Sequence, residues 1–324
     1  MDPKELRIVY MGTPEFAIAP LERLLQEGCR LAAVVTAPNK PAGRGKKLQS
    51  PAIKEYAQKA GIPVILQPEK LRDEQFIRSL RDLKPDLFIV VAFRMLPEVV
   101  WNMPPLGTFN LHASLLPQYR GAAPINHAVI NGEKETGLTT FMIDQEIDTG
   151  AVLLQERLAI GPDETAGELH DRMMTLGGEL VWKTVRMIAA GDVKKIRQES
   201  LPGAGEPLKQ APRIFRDDCH IRWARPAAKV FNQIRGLSPY PAAFAELVTD
   251  GMEPVNFKIF KAAVTARRSS DHPGTIESDG RTYLHVNTSD YQIAILSLQQ
   301  AGKKRLDTVE FLRGFQGIDG YYFS

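Results

Sequence analysis

Asn110 and His112 stand two residues apart in one apolar run, and Asp148 opens an Asp-Thr-Gly turn after the next run. Side chains two apart on a strand project to the same face. An amide and an imidazole placed this way suit acyl transfer between nitrogen atoms, because the amide can stabilise an oxyanion while the imidazole moves a proton. The bland alternative is structural: two polar groups satisfied by hydrogen bonds, and an acid that forms a turn.

A scaffold that would bring these residues together is predicted by the first 190 residues, where apolar runs alternate with helical spacing. Strands are predicted at 6–12, 31–37, 63–66, 87–93, 108–112, 138–143 and 152–160, and helices at 14–28, 51–60, 74–84 and 165–190. This alternation is typical of an α/β domain with a Rossmann-like, mostly parallel sheet. Ligands bind such sheets at the carboxyl ends of the strands, where Asn110, His112 and Asp148 are expected to meet.

The composition and the periodicity of the sequence change after residue 190. Residues 191–212 are polar and rich in Gly and Pro, which predicts a linker. Beyond it, short strands are predicted at 242–248, 255–266, 274–277, 283–286 and 291–298, with helices at 226–235 and 308–315. Many short strands separated by turns indicate a small barrel or sandwich. We therefore predict a catalytic domain at 1–190, a linker at 191–212 and a smaller β-domain at 213–324.

Several classes of protein do not fit this sequence. Cys29 and Cys219 form no CxxC pattern, which favours a reducing compartment. No secretory leader is expected from the first residues, and no apolar run is long enough for a membrane helix. We expect a cytoplasmic protein, and nothing in the sequence requires more than a monomer. His127 and His170 lack partners at metal-ligand spacing, and Gly12 lacks the GxGxxG pattern, so neither a metal nor a dinucleotide is expected.

Positive charge is concentrated in the C-terminal third. Residues 1–206 carry 25 Lys and Arg against 26 Asp and Glu, whereas residues 207–324 carry 16 against 12. The excess suggests an anionic partner for that third, although modest basicity also occurs on ordinary solvated surfaces.

A resemblance to a known family is carried by four segments: Phe109–Pro117, Gln118–Ile125, Glu135–Gly137 and Asp148–Gly150. They closely resemble the formyltransferases that use 10-formyltetrahydrofolate. Two more segments, Met11–Phe16 and Lys40–Lys47, are similar to members that formylate methionine on initiator tRNA. The resemblance runs nearly end to end. It implies an enzyme with an OB-like C-terminal barrel that holds tRNA, a folate co-substrate, and no permanently bound cofactor.

The resemblance also implies roles for single residues. Asn110, His112 and Asp148 would form the catalytic trio, and Ser114, Leu115, Leu116 and Pro117 would line the tetrahydrofolate site. The chain departs from the family at Phe93-Arg94, where many members have an aromatic residue followed by glycine. We assign Arg94 no role on this basis.

The loop between Asn39 and Lys47 is the basic segment for which a tRNA contact is expected. Its cations are Lys40, Arg44, Lys46 and Lys47, and no acid occurs between Glu27 and Glu55. Arg44 could fork onto a phosphate or stack on a base. A merely solvated loop is the alternative, and the family resemblance favours tRNA docking.

Three other functions stay open at this point. A formyltransferase for a small amine would share the trio without needing the basic loop or barrel. A hydrolase would release formate from the folate without an acceptor amine. A non-catalytic tRNA-binding module would bind RNA in a salt-sensitive way and leave the folate unchanged.

Overall fold

The computed structural model describes residues 1–42, 47–201, 205–315, 317–318 and 320–324. The strands of the first 160 residues are β1 (Ile8–Gly12), β2 (Leu31–Val35), β3 (Lys40–Ala42), β4 (Lys47–Gln49), β5 (Ile65–Leu66), β6 (Leu87–Val91), β7 (Thr108–His112), β8 (Arg120–Gly121), β9 (Glu135–Met142) and β10 (Val152–Ala159). The later strands are β11 (Gln210–Ala211), β12 (Ala243–Val248), β13 (Val255–Arg268), β14 (Ile276–Ser278), β15 (Leu284–Asn287), β16 (Tyr291–Gln300), β17 (Leu306–Asp307) and β18 (Tyr322–Phe323). The helices are α1 (Ile18–Gln26), α2 (Ala52–Lys59), α3 (Glu74–Asp82), α4 (Glu98–Trp101), α5 (Pro124–Asn131), α6 (Ala166–Ala190), α7 (Ala227–Leu237) and α8 (Thr308–Gly314). Across the residues so described, no helix combines the length and apolar character needed to cross a membrane.

The described chain forms two compact units, and the first comprises residues 1–121, 136–158 and 170–210. Its centre is a seven-stranded sheet in the order β10-β9-β7-β6-β1-β2-β5. The five strands from β7 to β5 run parallel, and β9 is antiparallel to β7. Strands β1 and β6 are buried along their whole length, as expected for apolar runs covered on both faces. The predicted Rossmann-like, mostly parallel sheet is confirmed.

Strand β7 contains Asn110 and His112 and places His112 at the carboxyl edge of this sheet. It pairs with β6 on one side, Val90 opposite Asn110, and with β9 on the other, His112 opposite Thr139. His112 is the last residue of the strand, so its side chain lies where the parallel strands end. This is the edge at which open α/β sheets bind ligands.

The second unit comprises residues 122–135, 159–169 and 211–324. Its antiparallel sheet has the order β14-β15-β16-β13-β12-β18, with β17 on β16, and a bridge between Thr275 and Tyr322 nearly closes it. The interior is apolar, with Phe257, Ile293 and Ile295 fully or almost fully buried. The open choice between barrel and sandwich is therefore settled in favour of a nearly closed barrel, and the predicted fold class is confirmed.

Within the second unit, α5 and α7 lie against each other at close range. The Asn126 side-chain amide donates to the Gly236 carbonyl at 2.8 Å. A Cβ on Gly236 would come within 2.5 Å of Ile130, so only glycine permits this approach. Helix α5 was not predicted from the sequence.

The segment predicted as a linker, residues 191–212, contains ordered structure where it is described. A 3₁₀ turn occupies Gln198–Ser200, and β11 begins at Gln210. The division of the chain at 190 and 213 stays a prediction.

Candidate active site

Asn110 and His112 lie on one face of β7, as predicted from their spacing. The His112 side chain is only 6% exposed. The Asn110 Oδ1 atom is buried and has no hydrogen-bond partner among the described residues. Burying an amide oxygen without a hydrogen bond costs free energy of folding, so we expect a bound molecule to supply the donor that Asn110 Oδ1 lacks.

The imidazole of His112 lies between two oxygen atoms. Its Nε2 is 2.9 Å from the carbonyl oxygen of Tyr119. Because a carbonyl can only accept, Nε2 carries the proton and donates it. On the other side, Nδ1 faces Asp148 Oδ2 at 3.7 Å, which is longer than a hydrogen bond. The backbone carbonyl of Tyr119 thus orients the ring. A small movement of the ring or of Asp148 would bring Nδ1 within hydrogen-bonding distance of the carboxylate.

Asp148 is held by the backbone around it. Its Oδ2 accepts a 2.9 Å hydrogen bond from the Gly121 amide. Its φ of 56° is left-handed, a conformation that Asp tolerates better than most residues. Two residues on, a Cβ at Gly150 would come within 1.7 Å of the Met142 carbonyl oxygen. The turn therefore requires glycine at position 150 and a residue at position 148 that tolerates the left-handed conformation.

Ser114, Leu115, Leu116 and Pro117 follow β7 as a tightly bonded loop with a cis Leu116–Pro117 peptide. Thr139 donates to the Ser114 carbonyl at 2.6 Å and accepts from the Leu116 amide at 3.2 Å. The Gln155 side chain donates to the Leu116 carbonyl at 2.9 Å. Three of the loop's backbone groups are thus held by side chains of β9 and β10, and the loop begins two residues after His112.

Gln198 is a residue of this site that the sequence analysis missed. Its side chain is almost fully buried, and its Nε2 donates to the carbonyls of Asp148 and Gly150, each at 2.9 Å. Its Oε1 accepts from the Arg120 guanidinium at 3.0 and 2.6 Å. No local pattern marks a single glutamine in a polar stretch, so only its contacts across 50 and 78 residues of chain could identify it.

The predicted tRNA-binding residues are only partly described. Strands β3 and β4 pair antiparallel with Lys40 opposite Gln49, and Lys40 is exposed. Lys47 lies in β4, but its side chain is not described. Arg44 and Lys46 lie outside the described residues.

Arg94, where the sequence departs from the family pattern, is engaged with the backbone of a neighbouring loop. Its guanidinium donates to the carbonyls of Pro68 at 2.8 Å and Glu69 at 3.0 Å, and it lies over the Phe93 ring at 5.3 Å. Burial lowers the pKa of Arg94, although two carbonyls and a ring face still suit a cation. Arg94 therefore ties the loop after β6 to the loop after β5, at the same edge of the sheet as His112.

Two family models match the chain. The model described as formyl transferase matches residues 6–185, and the model described as formyl transferase, C-terminal domain, matches residues 213–316.

Similar proteins are found over the full length. A methionyl-tRNA formyltransferase of Bacteroides thetaiotaomicron is 54% identical over 321 residues, which is 99% of each chain. One of Parabacteroides distasonis is 49% identical over 322 residues, again 99% of each.

Two solved structures share the fold. A sugar 3N-formyl transferase, WlaRD, solved in the presence of dTDP and 5-N-formyl-THF, has 20% identity and a TM-score of 0.63, covering 92% of this chain and 99% of its own. HypX from Aquifex aeolicus in complex with tetrahydrofolic acid has 16% identity and a TM-score of 0.63, covering 95% of this chain and 47% of its own.

Proposed function

Because the chain belongs to the formyl transferase family, we propose that it transfers the formyl group of 10-formyltetrahydrofolate to the α-amino group of methionyl initiator tRNA. The observation that carries this proposal is the identity of 54% with a methionyl-tRNA formyltransferase over 99% of both chains. The cluster of Asn110, His112 and Asp148 at the carboxyl edge of the sheet supplies groups suited to that chemistry.

The reaction forms a bond between the methionine nitrogen and the formyl carbon and breaks the bond from that carbon to N10 of the folate. The attacking amine loses a proton and N10 gains one. Asn110 is the proposed neutral donor to the oxyanion of the tetrahedral intermediate, a kind of contact typically worth about 3–4 kcal/mol. His112 is the proposed proton carrier between the two nitrogens. Asp148 stabilises the imidazolium when it forms, from 3.7 Å away.

The folate is proposed to lie along Ser114, Leu115, Leu116 and Pro117, because this segment begins two residues after His112 and Thr139 hydrogen-bonds to its backbone at Ser114 and Leu116. A rigid loop fixes the formyl carbon against the catalytic groups without reorganisation during the reaction. No permanently bound cofactor is needed, since the folate itself brings an activated formyl group.

The tRNA is proposed to bind the loop that contains Lys40, Arg44, Lys46 and Lys47, together with the basic barrel. The support is electrostatic: residues 207–324 carry 16 Lys and Arg against 12 Asp and Glu. RNA backbones attract such surfaces without regard to sequence. We further propose that the protein acts as a cytoplasmic monomer.

The decisive experiment combines the purified protein with 10-formyltetrahydrofolate and charged methionyl initiator tRNA, and assays formylmethionine. Formylmethionyl-tRNA is the expected product. Formylation of a small amine in preference to the tRNA, formate release without any acceptor, or tRNA binding with the folate unchanged would each replace the proposal with one of the three alternatives.

A further inference from the structure

We propose that Gln198 is a positioning residue for formyl transfer, because it holds in place the two groups that face the His112 ring. Its side chain makes four hydrogen bonds: two from its amide hydrogens and two to its carbonyl oxygen. The Gln198 side chain itself is only 1% exposed. The proposal rests on the proposed function for the reaction that His112 serves.

One end of Gln198 fixes the carboxylate. Nε2 donates to the carbonyls of Asp148 and Gly150, so its two hydrogen bonds hold the turn on both sides of Thr149. Asp148 is in the left-handed region with φ 56°, a conformation that persists only where its surroundings enforce it. The two bonds from Gln198 supply part of that enforcement, and with it the 3.7 Å placement of Oδ2 against His112 Nδ1.

The other end of Gln198 fixes the carbonyl that accepts from His112. Oε1 binds the guanidinium of Arg120, whose preceding residue, Tyr119, presents that carbonyl at 2.9 Å from Nε2. Tyr119 is also left-handed, with φ 61°. Both groups that flank the imidazole thus belong to residues with a left-handed backbone, and Gln198 bonds to Asp148 and to the neighbour of Tyr119.

Only a side-chain amide suits this position. Two donors and two acceptor lone pairs are needed in one plane, which is the inventory of glutamine. A glutamate would keep the contact to Arg120 but would set a carboxylate oxygen against the carbonyls of Asp148 and Gly150. A methionine would fill the space and lose all four bonds.

The test compares Gln198→Met and Gln198→Glu with the parent, and with Glu199→Met as a matched control, since Glu199 is the exposed next residue of the same segment. The first readout is the ¹⁵N NMR signals of the His112 ring in the free protein, which report which nitrogen carries the proton. The second is the separation of kcat from KM in methionyl-tRNA formylation.

Both Gln198 variants are expected to change the His112 ring signals and to lower kcat by about 10- to 100-fold, since small displacements of catalytic groups cost this much. KM for the folate and for the tRNA is expected to stay within about twofold, because Gln198 acts on the catalytic groups and on neither binding surface. Glu199→Met should match the parent in every measurement.

Unchanged His112 ring signals in both variants would overturn the proposal, and so would a raised KM with parental kcat. If Gln198→Met does not fold, Gln198→Glu decides, because it keeps the size of the side chain and its contact with Arg120. If the parent does not formylate methionyl-tRNA, the proposed function fails. The NMR comparison still judges the positioning role, since it needs no substrate.

Discussion

At the scale of the residue, the site contains two polar side-chain atoms that lack a hydrogen bond to any residue that the structure describes. Asn110 Oδ1 is buried without a partner among the described residues, and His112 Nδ1 is 3.7 Å from a carboxylate that it does not quite reach. Elsewhere in the same site, the Asp148 carboxylate and the Gln198 amide are well bonded. In the proposed reaction, a bound molecule and a transferred proton would complete these two contacts.

Asp148→Asn tests the charge at this site while keeping the shape. Asparagine tolerates the left-handed conformation, so the turn should persist, but it cannot stabilise an imidazolium. We expect the single-turnover rate of formylation to fall by about 10²- to 10⁴-fold, as when a carboxylate is lost beside a catalytic histidine, with tRNA binding nearly intact. Glu146→Gln, an exposed neutralisation two residues earlier, is the control. Near-parental rates for the Asp148 variant would remove this residue from the proposed catalytic trio.

At the scale of the element, the sequence predicted what local periodicity encodes. Strand β7 was predicted at its observed bounds, and the long helix predicted from 165 to 190 is α6. Helix α5 was missed because its sequence, PINHAVIN, contains no charged residue that would mark a solvent-facing side. Gln198 could not be found, since its partners lie far away in sequence and no short-range pattern records them.

Gly150→Ala tests the turn that presents Asp148. The added methyl group would meet the Met142 carbonyl oxygen at 1.7 Å, so β9 or the turn must move. We expect a loss of about 1–3 kcal/mol in the free energy of unfolding by urea, the usual cost of overpacking, together with a loss of activity. Gly205→Ala, where the added Cβ would meet no atom of the described residues within 4 Å, should leave both unchanged. Equal stability of the two variants would contradict this account of the turn.

The ion pair of Arg7 and Asp86, which lie just before β1 and β6, should make the stability of the protein depend on pH. Hydrogen bonds from the Arg7 guanidinium hold the pKa of the Asp86 carboxyl below its ordinary value, with a further bond from the Arg7 amide. A lowered folded-state pKa means that the stabilisation is present above the unfolded-state pKa, about 4, and is lost as the pH falls through the folded value.

Asp86→Asn should therefore lower the urea midpoint at pH 7, and the difference from the parent should shrink in acid below about pH 4. Glu74→Gln, a neutralisation of an exposed acid on α3, provides the comparison. A difference that is constant from pH 7 to acid would show that the ionised carboxylate is not what stabilises this junction.

At the scale of the whole molecule, charge is unevenly distributed along the chain. The barrel unit carries arginines stacked on aromatic rings, Arg268 of β13 over Tyr291 at 5.4 Å and Arg305, just before β17, over Phe260 at 4.4 Å. Stacking fixes a guanidinium in direction without neutralising it. Such cations remain available to an anionic surface.

Arg44→Ala and added salt test that expectation. We expect the variant to lower kcat/KM for methionyl-tRNA by about 10-fold or more, roughly the loss of one desolvated charge contact, while KM for the folate stays unchanged. Activity should also fall steeply with salt through the KM for tRNA. Arg78→Ala, which removes an exposed arginine from α3, is the control. Equal efficiency of the parent and the Arg44 variant on methionyl-tRNA would refute the docking role.

The pairing of α5 with α7 has a consequence for how the protein is made. Both helices belong to the unit that contains the barrel, yet residues 132–226 separate them in the chain. During synthesis at about 5–20 residues per second, the surface of α5 around Ile130 stays uncovered for roughly 5–20 s until α7 has been synthesised. The barrel therefore cannot be transplanted or truncated as residues 213–324 alone without leaving the Gly236 face of α7 uncovered. A ribosome-bound chain halted before α7 should expose the α5 surface to chaperones.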